Sequence, residues 1–364
     1  MEKYQRWQIK VQKNGVRKTF TCPIKGRNGQ RECNSKADEW LANDNTYSNE
    51  RAQVLYEKWM EELKLTTGQS HYRKIESNWK TWIRPKIGHL KIKIINEQHL
   101  QEVVLGAYKK GRSKKTLTNI RDCMSAFIKY CRKCGATSLV VENVTIPKNA
   151  AVGKRTILQP EDINILFKND KTLYKGKIVH EPFIHAYRFA VVTGLRPGEL
   201  IGLRWSDVDF DNNILSICRS INVHNEITVG KTKNAIRKIS ISPLMLKILD
   251  DRKADLTNPV SDDAYVFGDD KGNNVINHTL YRRWKQYIKF AGITSDATLY
   301  ELRHTFISVV KILPVGLVKP IVGHSVNMDT YGTYGHEING ELKQTGELIE
   351  IEFDKILKNT KTTQ

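Results

Sequence analysis

Long apolar runs are missing from the sequence: none of its 364 residues falls in a stretch approaching the ~20 apolar residues of a membrane-spanning helix. The first ten residues, MEKYQRWQIK, lack the apolar segment of a secretory signal. Internal repeats and low-complexity tracts are also missing. We therefore expect a globular protein of the cytoplasm that has no membrane partner.

The motifs of several enzyme classes are lacking too. There is no Walker loop for nucleotide phosphates, and no carboxylate cluster to hold Mg²⁺ for attack by water. Asp207, Asp209 and Asp211 alternate, but they are typical of a turn before a strand. Cys131 and Cys134 form one Cys-x-x-Cys, with no second pair or histidine pair to complete a zinc set. We expect no cofactor, no metal, and reduced thiols.

Acidic residues are scarce relative to basic ones. The chain has 59 Lys and Arg against 39 Asp and Glu, which gives a net charge of +20 and a pI of about 9.6. Such an excess of positive charge indicates a polyanionic partner, in the first place nucleic acid. Hydrophobic residues make up 40%, enough for packed cores, and the length predicts two or three domains.

Residues 1–46 are predicted to form a small β-sheet followed by a helix. Two alternating segments flank Asn14-Gly15, a strong hairpin signal. The helix is predicted over SKADEWLAN, with Ser35 as its N-cap. Positive side chains dominate the first 34 residues and suit contacts with phosphates: Lys3, Arg6, Lys10, Lys13, Arg17, Lys18, Lys25, Arg27 and Arg31.

Residues 47–147 are predicted to be helical. Ser48 is the expected N-cap of a helix through ERAQVLYEKWMEELKL, and Pro85 is expected to end or break a later one. A third helix ends at Gly135, and its apolar positions recur at helical spacing: Leu117, Ile120, Met124, Phe127, Ile128 and Cys131.

Residues 148–156 have no periodicity and read as a linker, after which 157–364 begin a new domain with Pro160 near a helix start. The predicted fold class is multidomain and mainly α with small β-sheets. It comprises a β-sheet-plus-helix N-terminal domain, a helical middle domain and a mixed α+β C-terminal domain. The final segment, ELKQTGELIEIEFDKILKN, is predicted to be a helix that docks either on its own subunit or on a neighbour.

Two stretches of the C-terminal domain suggest phosphate chemistry. In VVTGLRPGEL, one helix is predicted to end at Thr193-Gly194 and another to begin at Pro197, so Arg196 lies at the junction between them. Glu199 follows one turn later and can orient Arg196. In VGKTKN, Lys231 lies in a turn that we expect to be flanked by the strands ICRSINV and AIRKISIS. A lysine on such a tip can donate a proton to a leaving oxygen. An Arg–Glu structural pair and an ordinary basic turn are the alternatives.

Two further stretches lie near the C-terminus. In TLYELRHTFIS, Arg303 is predicted to lie in a helix, with Tyr300 one turn before it on the same face. His304 is predicted to point away from that face and is interpreted as a packing residue. In VGHSVNMDTYGTYGHE, His324 follows a glycine, and two tyrosines, Tyr331 and Tyr334, come seven and ten residues later.

TGLRPGEL, the GKT turn, LYELRHTF, and VGHS followed by TYGH occur in this order. Together they resemble the tyrosine recombinase (phage integrase) family, especially integrases of phages and conjugative transposons. The match covers residues 155–337. The N-terminal unit is similar to the arm-site-binding domain of that group, the helical middle to its core-binding domain, and the rest to its catalytic domain.

The resemblance implies a role for each matching residue. Arg196 and Arg303 would bind the non-bridging oxygens of the scissile phosphate, and His324 would donate a hydrogen bond to it. Lys231 would be the general acid for the departing 5′ oxygen. Tyr334, in TYGH, would be the nucleophile that forms a 3′-phosphotyrosyl intermediate.

The chain departs from the family at Tyr300, where the pattern has a histidine. A phenol is mostly a hydrogen-bond donor near neutral pH. Tyr300 therefore either donates to the phosphate or leaves proton transfer to another group or to water. Glu301 lies nearby without support from the family pattern, and Tyr331 is interpreted as a packing or phosphate-contact residue.

The expected activity is site-specific recombination of double-stranded DNA for a mobile element, through a four-way (Holliday) junction and without ATP. The expected partners are double-stranded DNA attachment sites and an excisionase or a host DNA-bending protein. On DNA we expect the chain to form a homotetramer. We expect the protein to lie in the cytoplasm of a bacterial cell and to be associated with the nucleoid when it is bound to DNA. The alternatives are a type IB topoisomerase and a non-catalytic DNA-binding regulator.

Overall fold

The computed structural model describes residues 6–13, 16–42, 47–153, 155–229, 236–256, 261–323 and 341–358. The chain divides into two compact units, Met1–Gly153 and Lys154–Gln364. The predicted mainly α fold with small β-sheets is confirmed. Across the described ranges, no helix combines the length and the apolar character needed to cross a bilayer.

The first unit begins with the predicted hairpin. Strands β1 (Trp7–Lys13) and β2 (Val16–Cys22) pair antiparallel, with Lys10 opposite Thr19. Burial alternates along β1, because side chains of a strand point to opposite faces in turn. One face of the hairpin packs on helix α1 (Gly26–Ala42), and the other presents polar side chains to solvent.

Helix α1 begins nine residues earlier than the sequence predicted, so the N-cap assigned to Ser35 is wrong. Its buried positions are Gly29, Cys33 and Ala37, which recur every four residues on one face. Gly29 lies so close to the chain that an added Cβ would be 1.8 Å from the Ile24 carbonyl oxygen. Because the buried face consists of small residues, the sequence lacks the pattern of large apolar residues that would have predicted this part of the helix.

The rest of the first unit is helical, and one detail differs from the prediction. Helix α2 starts at Ala52 after Arg51, so Ser48 is not its N-cap. Pro85 breaks the α-helix without ending the helical segment, which is one of the two expected outcomes: the turn before it widens into a π-helix, and the chain continues as α4. A widened turn accommodates a proline that an α-helical interior excludes. The segments are α2 (Ala52–Thr66), α3 (Gln69–Asn78), the π-helix (Trp79–Ile83), α4 (Arg84–Ile87), α5 (Glu97–Lys109) and α6 (Lys114–Lys133).

Helix α6 agrees with its predicted pattern. All six predicted core residues are buried, and Gly135 follows the helix with a φ of 68°. Cys131 is one of them, and Cys134 ends the helix; both are free thiols. In the core beneath α6, Trp79 stacks on Tyr56 at a centroid distance of 4.0 Å and an interplanar angle of 3°.

The second unit mixes helices with short antiparallel strands. Helix α7 (Pro160–Lys168) starts at Pro160, as predicted. Strands pair as a β3–β4 hairpin, a β5–β6–β9 sheet and a β7–β8 hairpin. The strands are β3 (Lys171–Tyr174), β4 (Lys177–His180), β5 (Val208–Asp209), β6 (Ile214–Ile217), β7 (Arg219–Ile221), β8 (Ile227–Val229) and β9 (Arg237–Ser240). The helices are α8 (Ile184–Thr193), α9 (Pro197–Gly202), α10 (Pro243–Ala254), α11 (Asn277–Ala291), α12 (Glu301–Val309) and α13 (Val315–Val322).

Helix α8 is the centre of this unit. Nine of its ten residues are buried, and it contacts α7, α9, α10 and α12. At its N-terminal side, buried Glu181 pairs with Arg283 at 2.8 Å. Burial nevertheless raises the pKa of Glu181. Because α8 is held on all sides, the turn that follows it has a fixed position.

The C-terminal helix, Glu341–Lys358, packs on its own unit. Its buried residues include Gly346, Ile349 and Phe353, and Gly346 lies against Ser240 of β9. The Asn164 amide donates to the Ile356 carbonyl at 3.1 Å. In this single chain the helix therefore takes the intramolecular position, one of the two that the sequence left open.

We expect Trp79→Ala to destabilise the first unit by about 3–5 kcal/mol, because it removes a fully buried ring and the bond from its indole N–H to Gln53. Trp82→Ala is the matched control. Trp82 is only half-buried beside Lys110 and Arg112, and its loss should cost about 1 kcal/mol. Urea titration of the full chain with hydrogen-exchange mass spectrometry on α2 and α6 measures both. Equal loss of protection in the two variants would contradict this packing.

Candidate active site

The turn after α8 positions the first candidate arginine. Helix α8 ends at Gly194, whose φ of 65° lies in the left-handed region. A Cβ there would lie 2.4 Å from the Phe306 ring, so both the backbone and the packing require glycine. Arg196 then adopts an extended conformation as the N-cap of α9, and Pro197 occupies the first helical turn, as predicted.

Glu199 holds two arginines together. Its carboxylate accepts bonds from the Arg196 backbone N–H at 2.9 Å and the Arg196 Nη1 at 2.7 Å. It also accepts bonds from Nη1 and Nη2 of Arg237 at 3.1 and 2.9 Å. Burial of this carboxyl acts to raise its pKa, but the bonds and charge of Arg237, with those of Arg196, leave the pKa below its ordinary value. The carboxylate is thus a buried anion bonded to two guanidinium groups.

The glycine in RPGEL permits this arrangement. A Cβ on Gly198 would lie 2.5 Å from the Ser220 hydroxyl and 2.6 Å from the Ile221 carbonyl oxygen. Helix α9 can therefore approach β7 closely only because this position lacks a side chain.

Arg303 lies on α12 and is almost completely buried, with 1% exposure. Its Nη1 donates to the Gly194 carbonyl at 2.8 Å, so it ties α12 to the turn that carries Arg196. Burial first and the positive charge of Arg196 second lower the pKa of Arg303 to about 10. The side chain is still protonated near neutral pH.

Three guanidinium groups converge on the end of α13. Arg237 donates to the Ile321 carbonyl, Arg303 to Val322, and Arg196 to Gly323 at 3.0 Å. Carbonyls at the end of a helix lack partners within the helix and carry partial negative charge, so cations bind there. The next residue in the chain is His324. The arginines therefore fix the point from which the histidine segment departs.

The contacts around Tyr300 differ from the prediction in one respect. Tyr300 precedes α12 and is 42% exposed, consistent with a residue that can face a ligand. His304 does not point elsewhere: its ring meets that of Tyr300 edge-on, with centroids 5.4 Å apart. Burial first and the charge of Arg155 second lower the pKa of His304. The Glu301 carboxylate binds the backbone N–H groups of Thr156 and Thr298 at 3.1 and 2.6 Å, which occupies it structurally.

The predicted strands around the lysine turn are also corrected. The segment preceding the turn is β8, and β8 pairs with β7. Within the described residues β9 pairs with β6 instead, in a separate sheet. Lys231, His324, Tyr331 and Tyr334 lie outside the described residues. Of the predicted site, the structure therefore brings together Arg196, Glu199 and Arg303, and Tyr300 directly precedes the helix that carries Arg303.

Arg237 and His304 are the site residues that sequence reasoning missed. Arg237 begins β9 next to a second basic residue, Lys238, and only the β6–β9 pairing places it beside Glu199. Its sequence neighbours gave no signal that distinguished it from Lys238. His304 is four residues after Tyr300, the spacing of neighbours on one helix face.

Two family models match this chain. The model of the phage integrase family matches residues 156–339, and the model of the phage integrase N-terminal SAM-like domain matches residues 53–105. The first match covers half of the chain and contains every residue discussed in this section except Arg155.

Curated relatives point the same way. A tyrosine recombinase XerC-like protein of Caldanaerobacter subterraneus subsp. tengcongensis is 24% identical over 322 residues, which cover 78% of each chain. The ICEBs1 integrase of Bacillus subtilis is 27% identical over 178 residues, which cover 45% of this chain and 47% of that protein.

Solved structures share the fold. The Tn1549 transposon integrase in complex with a circular intermediate DNA superposes with a TM-score of 0.61 at 17% identity, covering 82% of this chain and 98% of that one. A lambda integrase tetramer bound to a Holliday junction gives 0.60 at 17% identity, covering 88% and 96%. The family expected from the sequence is confirmed: this chain belongs to the phage integrase family and is a tyrosine recombinase.

Proposed function

We propose that this chain cuts and rejoins DNA at specific sites to integrate or excise a mobile element. The observation that carries the proposal is the set of guanidinium groups of Arg196, Arg237 and Arg303, held by the Glu199 carboxylate and by successive carbonyls of one helix end. Fixed cations of this kind stabilise charge that develops on a phosphoryl group, because they need no reorganisation during the reaction.

Arg196 is the arginine with most room for a phosphate. Its side chain is 33% exposed, and its bonds to Glu199 and Gly323 use two of the five N–H groups of the guanidinium. Arg303 is buried and holds the backbone on either side, at Gly194 and Val322. We propose that the scissile phosphate approaches from the Arg196 side and uses the remaining N–H groups of both arginines.

The other roles follow the family pattern. The Tyr334 oxygen attacks the phosphorus atom, a 3′-phosphotyrosyl bond forms, and the bond to the 5′ oxygen breaks. Lys231 supplies the proton that the 5′ oxygen takes up, and His324 donates a hydrogen bond to the phosphate. The covalent bond retains the energy of the phosphodiester, so rejoining needs no ATP.

Tyr300 occupies the position of the family histidine, and we propose that it donates a hydrogen bond to the phosphate. Its exposure and its place beside α12 support that role. The adjoining His304, whose pKa is lowered, is a neutral imidazole at pH 7 and can accept a proton. The proton that leaves the Tyr334 hydroxyl is then taken up by His304 or by water.

The domains divide the DNA contacts between them. We propose that residues 1–46 bind arm sites, 47–147 bind the core site, 148–156 link them to the catalytic domain, and 157–364 carry out the cleavage. In support of the first assignment, the solvent face of the N-terminal hairpin carries side chains that commonly contact bases and phosphates: Gln8, Lys10, Gln12, Arg17, Thr19 and Thr21.

The proposed assembly is a homotetramer on double-stranded DNA. A lambda integrase tetramer on a Holliday junction shares the fold, and the net charge of +20 favours binding to a polyanion. An excisionase or a host DNA-bending protein would set the direction of the reaction. Relaxation of plasmids that carry no specific site would instead support a type IB topoisomerase.

Tyr334→Phe should abolish covalent attachment to a nicked suicide DNA substrate, because it removes the attacking hydroxyl and keeps the ring. Tyr331→Phe, three residues away, should form the adduct as the wild type does. Denaturing gel electrophoresis of labelled DNA measures both. An adduct that survives Tyr334→Phe would overturn the assignment, and its loss with Tyr331→Phe but not with Tyr334→Phe would make Tyr331 the nucleophile.

Arg196→Ala should lower the cleavage rate by about 10²–10³-fold, as for removal of one donor to a developing anion. Glu199→Gln should lower it by at least about 10–100-fold, because the amide nitrogen can accept neither of the two bonds made to the oxygen it replaces, and each charge-assisted bond contributes roughly 1.5–3 kcal/mol. Single-turnover cleavage measures the rates, and gel shift checks that DNA binding persists.

The matched control for both is Arg204→Ala, which removes an arginine paired with Asp263 outside the cluster and should leave cleavage within about two-fold. If Glu199→Gln cleaves at the wild-type rate, Glu199 does not position Arg196.

A further inference from the structure

A second polar cluster lies at the opposite end of α8 from Arg196. His180 ends β4, His185 lies in the first turn of α8, and Asp255 follows α10. One Asp255 oxygen is 2.9 Å from His185 Nε2 and 3.5 Å from His180 Nε2. One ligand atom from each residue lies within 4.8 Å of the other two. About 15 Å of helix separate the cluster from the arginine site.

The spacing of these atoms fits a transition-metal ion. Two ligand atoms bound to Zn²⁺ at ~2.0–2.1 Å in tetrahedral geometry lie roughly 3.3 Å apart. The separations of the Asp255 oxygen from the two histidine nitrogens, 2.9 and 3.5 Å, lie on either side of that value. Two imidazole nitrogens and one carboxylate oxygen are a ligand set that zinc accepts, with a fourth position for water.

Asp170 lies beside the outer edge of the His180 ring. Its carboxylate is 3.6 Å from Nδ1 of His180, just beyond hydrogen-bond distance. A small shift on metal binding would let it accept the second ring N–H, as carboxylates do for metal-bound histidines. His180 would then present Nε2 to the ion.

His185 presents one edge of its ring to the cluster. Its side chain is 7% exposed. Within the part of the chain that the structure describes, the buried Nδ1 has no hydrogen-bond partner, so the polar contacts of the ring lie on its Nε2 edge. When an ion replaces the Nε2 proton, that proton moves to Nδ1. The half-exposed His180 and Asp255 leave a path of entry from solvent.

We propose that His180, His185 and Asp255 form a binding site for a divalent transition-metal ion, with Zn²⁺ favoured by the ligand set. The ion would connect β4 and the end of α10 to the first turn of α8. Because α8 leads to the turn that carries Arg196, the site would stabilise the catalytic unit from its far side. It takes no part in the proposed strand cleavage.

The test uses tag-free, full-length protein stripped of metal with a chelator. Isothermal titration with Zn²⁺ gives stoichiometry and affinity, and Co²⁺ gives visible bands of a tetrahedral site. A site of nitrogen and oxygen ligands lacks the near-ultraviolet sulfur-to-cobalt bands that binding to any of the six cysteines would produce. The expected result is one ion per chain, without sulfur bands.

Variants locate the ion. His180→Ala and Asp255→Asn, both at half-exposed positions, should abolish binding while the chain stays folded, and Asp170→Asn should weaken it about 10–100-fold. His278→Ala, an exposed histidine on α11 of the same unit, is the matched control and should bind as the wild type does.

Zn²⁺ should also raise hydrogen-exchange protection of α8 in the wild type and in His278→Ala, but not in His180→Ala. Absence of stoichiometric binding, sulfur-to-cobalt bands, or affinity unchanged in His180→Ala and Asp255→Asn would each overturn the proposal. The cluster would then be a metal-free hydrogen-bonded group. Loss of Zn²⁺ binding with intact DNA cleavage would leave the recombinase proposal untouched.

Discussion

The buried carboxylate of Glu199 is the interaction on which the rest of the site depends. Arg196 and Arg237 come from different elements and carry like charges, so bringing them together is unfavourable unless an anion lies between them. An ion pair with one partner removed leaves an uncompensated buried charge, which costs several kcal/mol. Glu199 thus fixes the guanidinium groups before any phosphate arrives, and the low pKa of its carboxyl keeps the anion ionised at neutral pH.

That constraint extends to the histidine segment through the backbone. The carbonyls of Ile321, Val322 and Gly323 each accept a bond from a different arginine. The same groups that would hold the phosphate therefore also anchor the chain just ahead of His324. In the proposed reaction, binding of the phosphate and the anchoring of the chain at Gly323 would be coupled, because both would draw on N–H groups of Arg196 and Arg303. Arginines that bound the phosphate without also bonding to these carbonyls would lack this coupling.

Sequence reasoning succeeded where the signal is local. The periodicity of α6, the stop at Gly194 and the start at Pro197 are properties of a few consecutive residues. It failed where the signal is tertiary. The early start of α1 depends on small residues packed on a hairpin. The site depends on Arg237, which only the non-local β6–β9 pairing places beside Glu199. The pattern of side chains in the sequence also does not show that the three arginines donate hydrogen bonds to backbone carbonyls.

The most direct measurement is a structure of the wild-type protein trapped on a suicide DNA substrate. The account predicts continuous density from the Tyr334 oxygen to the 3′ phosphate, with N–H groups of Arg196 and Arg303 about 2.7–3.1 Å from its non-bridging oxygens. Arg196 should still be bonded to Glu199. A phosphate attached to another residue, or held away from these guanidinium groups, would contradict the account.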